Sequence, residues 1–240
     1  MILANKQLVL VSSTGESTVL PIGVRAFRGP RFSPDGRRIT VDVEPGGDLV
    51  GDIWVLDREP GTFTRLTFEG SSVFPEWTPD GSAVLYSSGK SGKREIYRIP
   101  ADRSAAPTLV VRSSSPIFEA VLSPLDNTLL YRENGDSTGR DIMLMPAHGK
   151  PTSFAASPFQ EVSPAISPDG RLVLYMSDES GRDEVYVRPM TGTGRAQVSG
   201  NGGTEPRWGR GGREAYYGAR TRCSSRPSRH LLLSRPGRGA

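Results

Sequence analysis

The sequence predicts an all-β protein, a β-propeller built from four-stranded antiparallel blades. Three observations predict it: a short turn motif recurs at nearly constant spacing, strand-forming runs follow each copy, and turn-forming residues are abundant. The chain holds 28 glycines and 20 prolines among 240 residues, about a fifth of the chain, where their usual sum is about 12%. Folds made of many short strands need such residues at their turns.

The turn motif reads SPDG or a variant of it and defines a repeat. Its copies stand at 33–36, 78–81, 123–127, 167–170 and 209–212, and their first residues are 45, 45, 44 and 42 positions apart. Each copy is followed by β-rich runs such as RRITVDV, by a second run that begins with an acid, and by a shorter closing run. Four strands in a period of about 40–50 residues are typical of propeller blades.

The motif residues predict a tight turn between the first two strands of each blade. Proline presets φ, aspartate bonds its own backbone, and glycine supplies a positive φ. The residues to which we assign this structural role are Asp35, Gly36, Asp80, Gly81, Asp169 and Gly170. Calcium would need six or more converging oxygens at each site, so turn formation is favoured over metal binding.

A large apolar residue stands directly before each turn motif. These residues are Phe32, Trp77, Leu122, Ile166 and Trp208. One sheet of four short strands cannot bury its own two faces, so stacked repeats must bury them against each other. We therefore expect these five side chains to pack between neighbouring blades.

The strand count predicts four complete blades over roughly 29–204 and a half-blade at each end. Two strands are expected within 1–28 and two within 205–218. Joining the halves would close a five-bladed ring; otherwise the chain is an open arc of a larger propeller. The predicted domains are thus a propeller over 1–218 and a basic, disordered tail over 219–240, whose composition cannot offset its ordering entropy.

The positive charge of the chain is concentrated in that tail. The net charge is +4, yet residues 219–240 contain six arginines and no acid, which leaves residues 1–218 slightly negative. A nucleic-acid footprint would need basic residues clustered on the folded part. The sequence therefore predicts no nucleic-acid binding by the body. The sequence also contains no apolar run of the ~20 residues that span a bilayer. Its first residues lack the features of a signal peptide, so we expect none in this chain, and we expect a monomer.

Several segments resemble the TolB-like Pro-Asp repeat propellers, which are similar to WD-repeat propellers. They are SPDG, DIWVLD (52–57), GTFTRLTFEG (61–70) and SDESGRDEVYVRP (177–189). The resemblance covers about residues 5–217, and the order of the segments most resembles the C-terminal propeller of bacterial eukaryotic-type serine/threonine protein kinases. It implies a sensor or scaffold module in an extracytoplasmic or periplasmic location. The variants SPLDN and GRGG depart from the pattern, and the second suggests a truncated or frame-shifted end.

No catalytic or cofactor-binding motif is complete in this sequence. In the glycine-containing segment 192–198, Gln197 replaces the third glycine of a kinase loop; near 87–93, Val84 stands where a P-loop needs glycine. The two histidines, His148 and His230, lie in a turn and in the tail, where neither would be held beside a nucleophile. We expect no enzyme activity, no cofactor and no metal site.

Charged residues at aligned positions of the first strands predict a binding mouth. The aligned residues are Arg31, Glu76, Val121, Ala165 and Arg207. Arg31, Glu76 and Arg207 are the candidates for contacting a protein, a peptide or a small extracellular ligand; alternatively, the charges pair with each other. The predicted function is a non-catalytic binding, sensor or scaffold module related to a kinase propeller. The alternatives are the accessory propeller of a serine peptidase and a TolB-like periplasmic protein.

Overall fold

The computed structural model describes residues 6–12, 14–44, 51–135, 139–218 and 229–232. The chain divides into two compact units, residues 1–120 and 121–240. The described residues form strands and turns and include no α-helix, and so none that could cross a membrane.

The first unit contains a two-stranded sheet followed by two complete blades. The sheet pairs β1 (Val9–Val11) with β2 (Ser17–Val19). Blade 1 consists of β3 (Phe27–Phe32), β4 (Arg38–Val43), β5 (Asp52–Asp57) and β6 (Phe63–Arg65); blade 2 consists of β7 (Ser72–Trp77), β8 (Ala83–Ser88), β9 (Glu95–Pro100) and β10 (Thr108–Val111). In both blades consecutive strands are antiparallel neighbours.

The next blade begins at the division between the units. Blade 3 consists of β11 (Ile117–Leu122), β12 (Leu129–Gly135), β13 (Gly139–Met145) and β14 (Thr152–Ala155); blade 4 consists of β15 (Glu161–Ile166), β16 (Leu172–Ser177), β17 (Glu184–Pro189) and β18 (Ala196–Gln197). A three-stranded sheet follows: β19 (Thr204–Trp208), β20 (Glu214–Gly218) and β21 (Arg229–Leu232). The predicted fold class, a β-propeller of four-stranded antiparallel blades, is confirmed.

The predicted tail differs from the structure at four residues. Residues 219–228 and 233–240 lie outside the described residues, so the domain boundary after Gly218 stays a prediction, as does closure with five blades. Arg229–Leu232, however, forms β21 and pairs antiparallel with β20, with Tyr216 opposite His230. This segment is therefore a strand, and the predicted disorder of the rest of the tail stays a prediction.

An acid at the start of the third strand ties that strand to the chain leaving the blade. In blade 1 the Asp52 carboxylate accepts bonds from the Thr67 hydroxyl and the Gly70 amide, and Thr67 in turn accepts the amide of Ile53. In blade 4 Glu184 forms the same contacts with Ser199 and Gly202. These acids recur in the sequence at the start of the second run of each repeat, and the structure shows this role for them.

The core of the first unit lies between blades 1 and 2. Ile53, Val55 and Leu66 of blade 1 and its linker pack against Trp77, Val84, Tyr86, Tyr97 and Ile99 of blade 2. The Trp77 indole also donates a hydrogen bond of 3.1 Å to the carbonyl oxygen of Arg31 in blade 1. In the second unit the Trp208 indole donates in the same way to Ala165, at 2.9 Å. The aromatic residue at this position therefore fills the interface between two blades, which we call the seam, and its hydrogen bond helps to align the blades.

The five residues before the turns are buried to different degrees. Trp77 is 5% exposed, whereas Phe32 is 51% exposed; Leu122, Ile166 and Trp208 are partly buried. The expected burial is wrong for Phe32. The described chain before blade 1 forms only two three-residue strands, and its apolar residues pack on Phe27 and Ile39 rather than on Phe32.

Replacing Trp77 by alanine should lower the free energy of unfolding by about 3–5 kcal/mol, the range for deleting a large buried aromatic side chain. The matched change Phe32→Ala should cost under about 1 kcal/mol, because half of that ring is already in water. Urea unfolding of the two variants beside the wild type measures both costs. Equal costs would contradict the difference in packing between these aligned positions.

Candidate functional site

A β-bulge interrupts the first strand of blades 1, 2 and 4 and the first strand of the last sheet. The ladder register shifts between Arg28 and Arg31 in β3 and at the aligned positions of β7, β15 and β19. Each bulge begins with a residue of positive φ that is followed by proline: Gly29 (53°), Phe74 (56°), Ser163 (56°) and Glu205 (50°). Proline cannot donate to a ladder, and within sheets it is confined to edges, strand starts and bulges.

A buried carboxylate of blade 1 holds the bulge of blade 2. The backbone amide of Phe74 donates a hydrogen bond of 3.2 Å to Oδ2 of Asp42, which lies on β4. Asp42 is 1% exposed, so its carboxylate is removed from water. An amide that leaves the ladder at a bulge needs another acceptor, and Asp42 supplies it across the seam between blades.

Charged groups of both signs surround this contact. Arg28 forms an ion pair with the buried carboxylate of Glu44. Burial raises the pKa of Asp42 to about 6, although the Phe74 amide and Arg28 oppose the rise; the charge of Glu44 adds to it. Burial likewise lowers the pKa of Arg94, against the nearby carboxylates of Glu44 and Asp42.

Two aromatic rings lie beside these charges. Phe74 and Phe118 meet edge to face, with ring centroids 6.3 Å apart and an interplanar angle of 79°. The Arg94 guanidinium lies 5.8 Å from the Phe118 centroid. Both rings are partly buried. We call the group Arg28, Arg31, Asp42, Glu44, Phe74, Glu76, Arg94 and Phe118 the bulge site.

Two of the three residues predicted for the binding mouth are in contact. Nε of Arg31 donates to a carboxylate oxygen of Glu76 at 3.0 Å. Burial raises the pKa of Glu76, and the charge of Arg31 opposes that rise. Arg207 belongs to β19 in the second unit, where its guanidinium donates to the carbonyl of Pro206 at 2.7 Å. Of the residues predicted for the binding mouth, the structure thus brings together Arg31 and Glu76, as a salt bridge within the first unit.

Within the bulge site, some polar atoms lack hydrogen-bond partners in the part of the chain that the structure describes. They are Oδ1 of Asp42, Oε2 of Glu44 and Nε of Arg28. Buried polar atoms normally form hydrogen bonds. The contacts within this cluster therefore leave some of its donors and acceptors without a hydrogen bond. Elsewhere in the described ranges, no three His, Cys, Asp or Glu side chains are grouped as metal ligands.

The turn-motif residues lie outside the bulge site and make local contacts. The Asp80 carboxylate accepts bonds from the Thr78 hydroxyl and from the amide and hydroxyl of Ser82, and these bonds lower its pKa to about 2. Gly81 has a φ of 68° and donates its amide to the Thr78 carbonyl. Asp35 with Gly36, and Asp169 with Gly170, repeat the arrangement.

The bulges were not predicted from the sequence, although a signal was present. Pro30, Pro75, Pro164 and Pro206 stand at the same place in four of the five first strands, and Ala120 takes that place in β11. An in-strand proline at a constant place in the repeat is a mark of a bulge. The role of Asp42 had no comparable signal, because its partner is a backbone amide 32 residues away.

Comparison with known proteins identifies relatives of this chain. The family model described as "TolB beta propeller domain" matches residues 11–211. An uncharacterized protein of Agrobacterium fabrum is 36% identical over 75 residues, which are 31% of this chain and 25% of that protein. The Tol-Pal system protein TolB of Bordetella pertussis is 28% identical over 132 residues, 50% of this chain and 27% of that protein. The chain thus matches about a quarter of the length of these curated relatives.

A solved structure has the same fold. The structure of a putative TolB from Agrobacterium tumefaciens superimposes with a TM-score of 0.77 and 20% sequence identity, over 90% of this chain and 78% of that chain. At this identity the likeness concerns the fold.

Replacing Asp42 by asparagine should remove one pH-dependent contribution to stability. A carboxyl whose folded pKa is raised from 3.8 to about 6 stabilises the fold below its unfolded pKa, and this contribution is lost as the pH rises through the folded pKa. The stability of the wild type relative to Asp42→Asn should therefore fall by about 2–3 kcal/mol between about pH 4 and pH 7. Urea unfolding of both proteins across this range measures the difference. A difference that is flat, or that grows with pH, would contradict the buried position of this carboxyl.

Proposed function

Because the chain belongs to the TolB β-propeller domain family, we propose that it is a non-catalytic propeller that binds a protein or peptide segment at the bulge site. The observation that carries this proposal is the edge-to-face pair Phe74 and Phe118 with Arg94 beside it. Aromatic residues and arginine are enriched at protein interfaces and dominate their binding energy.

The surroundings of the aromatic pair favour a peptide over a purely apolar ligand. The Arg31–Glu76 salt bridge is partly exposed, with side-chain exposures of 17% and 25%, so it can exchange contacts with a partner. The ion pair between Arg28 and the buried Glu44 carboxylate adds further charge to the same site. A segment with an apolar anchor between charged or polar residues matches this combination.

The bulge fixes the position of the central ring. Phe74 has a positive φ, which costs about 1–2 kcal/mol for a residue other than glycine. Blade 1 has Gly29 at the aligned position, where the same backbone carries no side chain. A phenylalanine at a place that suits glycine is explained by what its ring contacts, which supports a binding role.

The relatives support the TolB-like alternative better than the kinase-associated reading. One curated relative is named as TolB of the Tol-Pal system, and the family is that of the TolB propeller. The roles of sensor or scaffold beside a kinase, and of a peptidase accessory domain, stay predictions from the sequence. The absence of catalytic activity and an extracytoplasmic location are parts of our proposal, supported by the incomplete catalytic motifs and by the family resemblance.

The test selects peptides on the immobilised chain from a random library and measures the binding of synthetic copies by fluorescence anisotropy. We expect Phe74→Gly to weaken binding at least about tenfold, because glycine suits the backbone and removes only the ring. Phe32→Ala removes an exposed phenylalanine from outside the site and should leave the affinity unchanged.

Two results would overturn the proposal. One is that no peptide is enriched on the wild type over the Phe74→Gly variant. The other is that selected peptides bind both proteins equally well, which would place their site elsewhere.

A further inference from the structure

A pocket of about 540 Å³ lies in the first unit, between the chain that leaves blade 1 and the loop that joins β9 to β10. Leu66 and Ile99, both buried, form part of its lining, together with the exposed ring of Phe68. The loop contributes Arg103 and the small residues Ala105 and Ala106. Thr67, Glu69 and Ser104 supply further polar groups to the lining. The volume of the pocket lies within the range of about 300–1,000 Å³ that is typical of small-molecule sites.

Arg103 occupies a backbone position that favours glycine. Its φ is 59°. Of the other residues with a positive φ that are not glycine, Phe74, Ser163 and Glu205 start the repeated bulges, and Asn127 is a residue type that tolerates this conformation. Arg103 has neither explanation. Strained residues of this kind cluster at functional sites, so the side chain is the feature to explain.

The guanidinium of Arg103 lies at the pocket beside an aromatic ring. It is 4.8 Å from the centroid of Phe68, whose ring also lies 5.0 Å from the guanidinium of Arg65. Arg65 is neutralised by an ion pair with Asp52. Within the described ranges, by contrast, no carboxylate forms an ion pair with Arg103.

The acids near the pocket have partners of their own. Glu69 is 3.6 Å from Lys90 and accepts a bond from the Ser72 hydroxyl. Asp102 accepts the Ser104 amide at 3.0 Å. Among the described residues that line the pocket, the cation left to pair with a ligand is therefore Arg103. The carboxylates of Glu69 and Asp102 would repel an anion, and Arg103 alone attracts it. This balance of charge suits a singly charged anion better than a doubly charged one.

We propose that this pocket binds a small organic monocarboxylate with an apolar tail. The planar fork of Arg103 receives the carboxylate through two parallel N–H···O bonds. The tail lies against Leu66, Phe68 and Ile99, where it leaves water. This site is separate from the bulge site, and it does not depend on the function proposed there.

Isothermal titration calorimetry with N-acetyl-L-leucine as the probe tests the assignment. Its neutral counterpart, N-acetyl-L-leucinamide, has the same apolar tail without the charge. We expect the acid to bind the full chain at least about tenfold more tightly than the amide.

Arg103→Gly is the decisive variant. Glycine relieves the positive φ, so the melting temperature should be unchanged or raised, while affinity for the acid falls at least about tenfold. Arg103→Asn, which also tolerates this backbone, provides a second variant. Arg58→Ala is the matched control: Arg58 likewise lies over an exposed ring, 5.9 Å from Phe32, but outside the pocket, and its loss should change affinity less than twofold.

Three outcomes would overturn the inference: no heat of binding for the acid at millimolar concentration, equal affinities for acid and amide, or wild-type affinity in folded Arg103→Gly. A loss of affinity in Arg58→Ala equal to that in Arg103→Gly would also overturn it, because net charge rather than the pocket would then determine binding.

Discussion

The structure depends on the inability of a four-stranded sheet of short strands to bury its own faces. Each blade must therefore be completed by a neighbour, and the seam between blades contains the most specific contacts of the first unit. The Trp77 indole bonds a carbonyl of blade 1, and Asp42 of blade 1 bonds an amide of blade 2. Apolar packing brings the blades together, and these two polar contacts, one in each direction, determine how they are aligned.

Both candidate binding sites arise from this seam. The bulge site combines the carboxylate of Asp42 with the Phe74 ring of the next blade. The pocket at Arg103 combines the linker leaving blade 1 with a loop of blade 2. If all blades had identical sequences, every interface between two blades would be the same. What distinguishes this one is the aromatic ring of Phe74, since none of the aligned positions in the other bulges carries a ring. Arg103, at a positive φ, is the second distinguishing residue.

The blades and turns were predictable from the sequence because they are periodic. The two candidate sites were not predictable, since the residues that form them differ from those at the aligned positions of the other repeats. The spacing of the turn motifs predicted every complete blade, and Trp77 is buried as expected. Phe32 occupies the same place in the repeat but is exposed, because burial depends on the neighbouring sheet and not on the residue itself. Arg31 and Glu76 were found as aligned charges, but their salt bridge joins residues 45 positions apart. Asp42 was missed because its partner is a backbone atom, which leaves no mark in a sequence.

The turn glycines also connect successive repeats. A methyl group at Gly81 would lie 3.4 Å from the Pro34 ring of the preceding turn, and one at Gly212 would lie 3.2 Å from Pro168; at Gly170 it would overlap Leu125. In two of these turns a proline of one repeat therefore lies against the bare α-carbon of the next, and in the third a leucine does so. A side chain placed at one of these glycines would disturb the preceding repeat as well as its own turn.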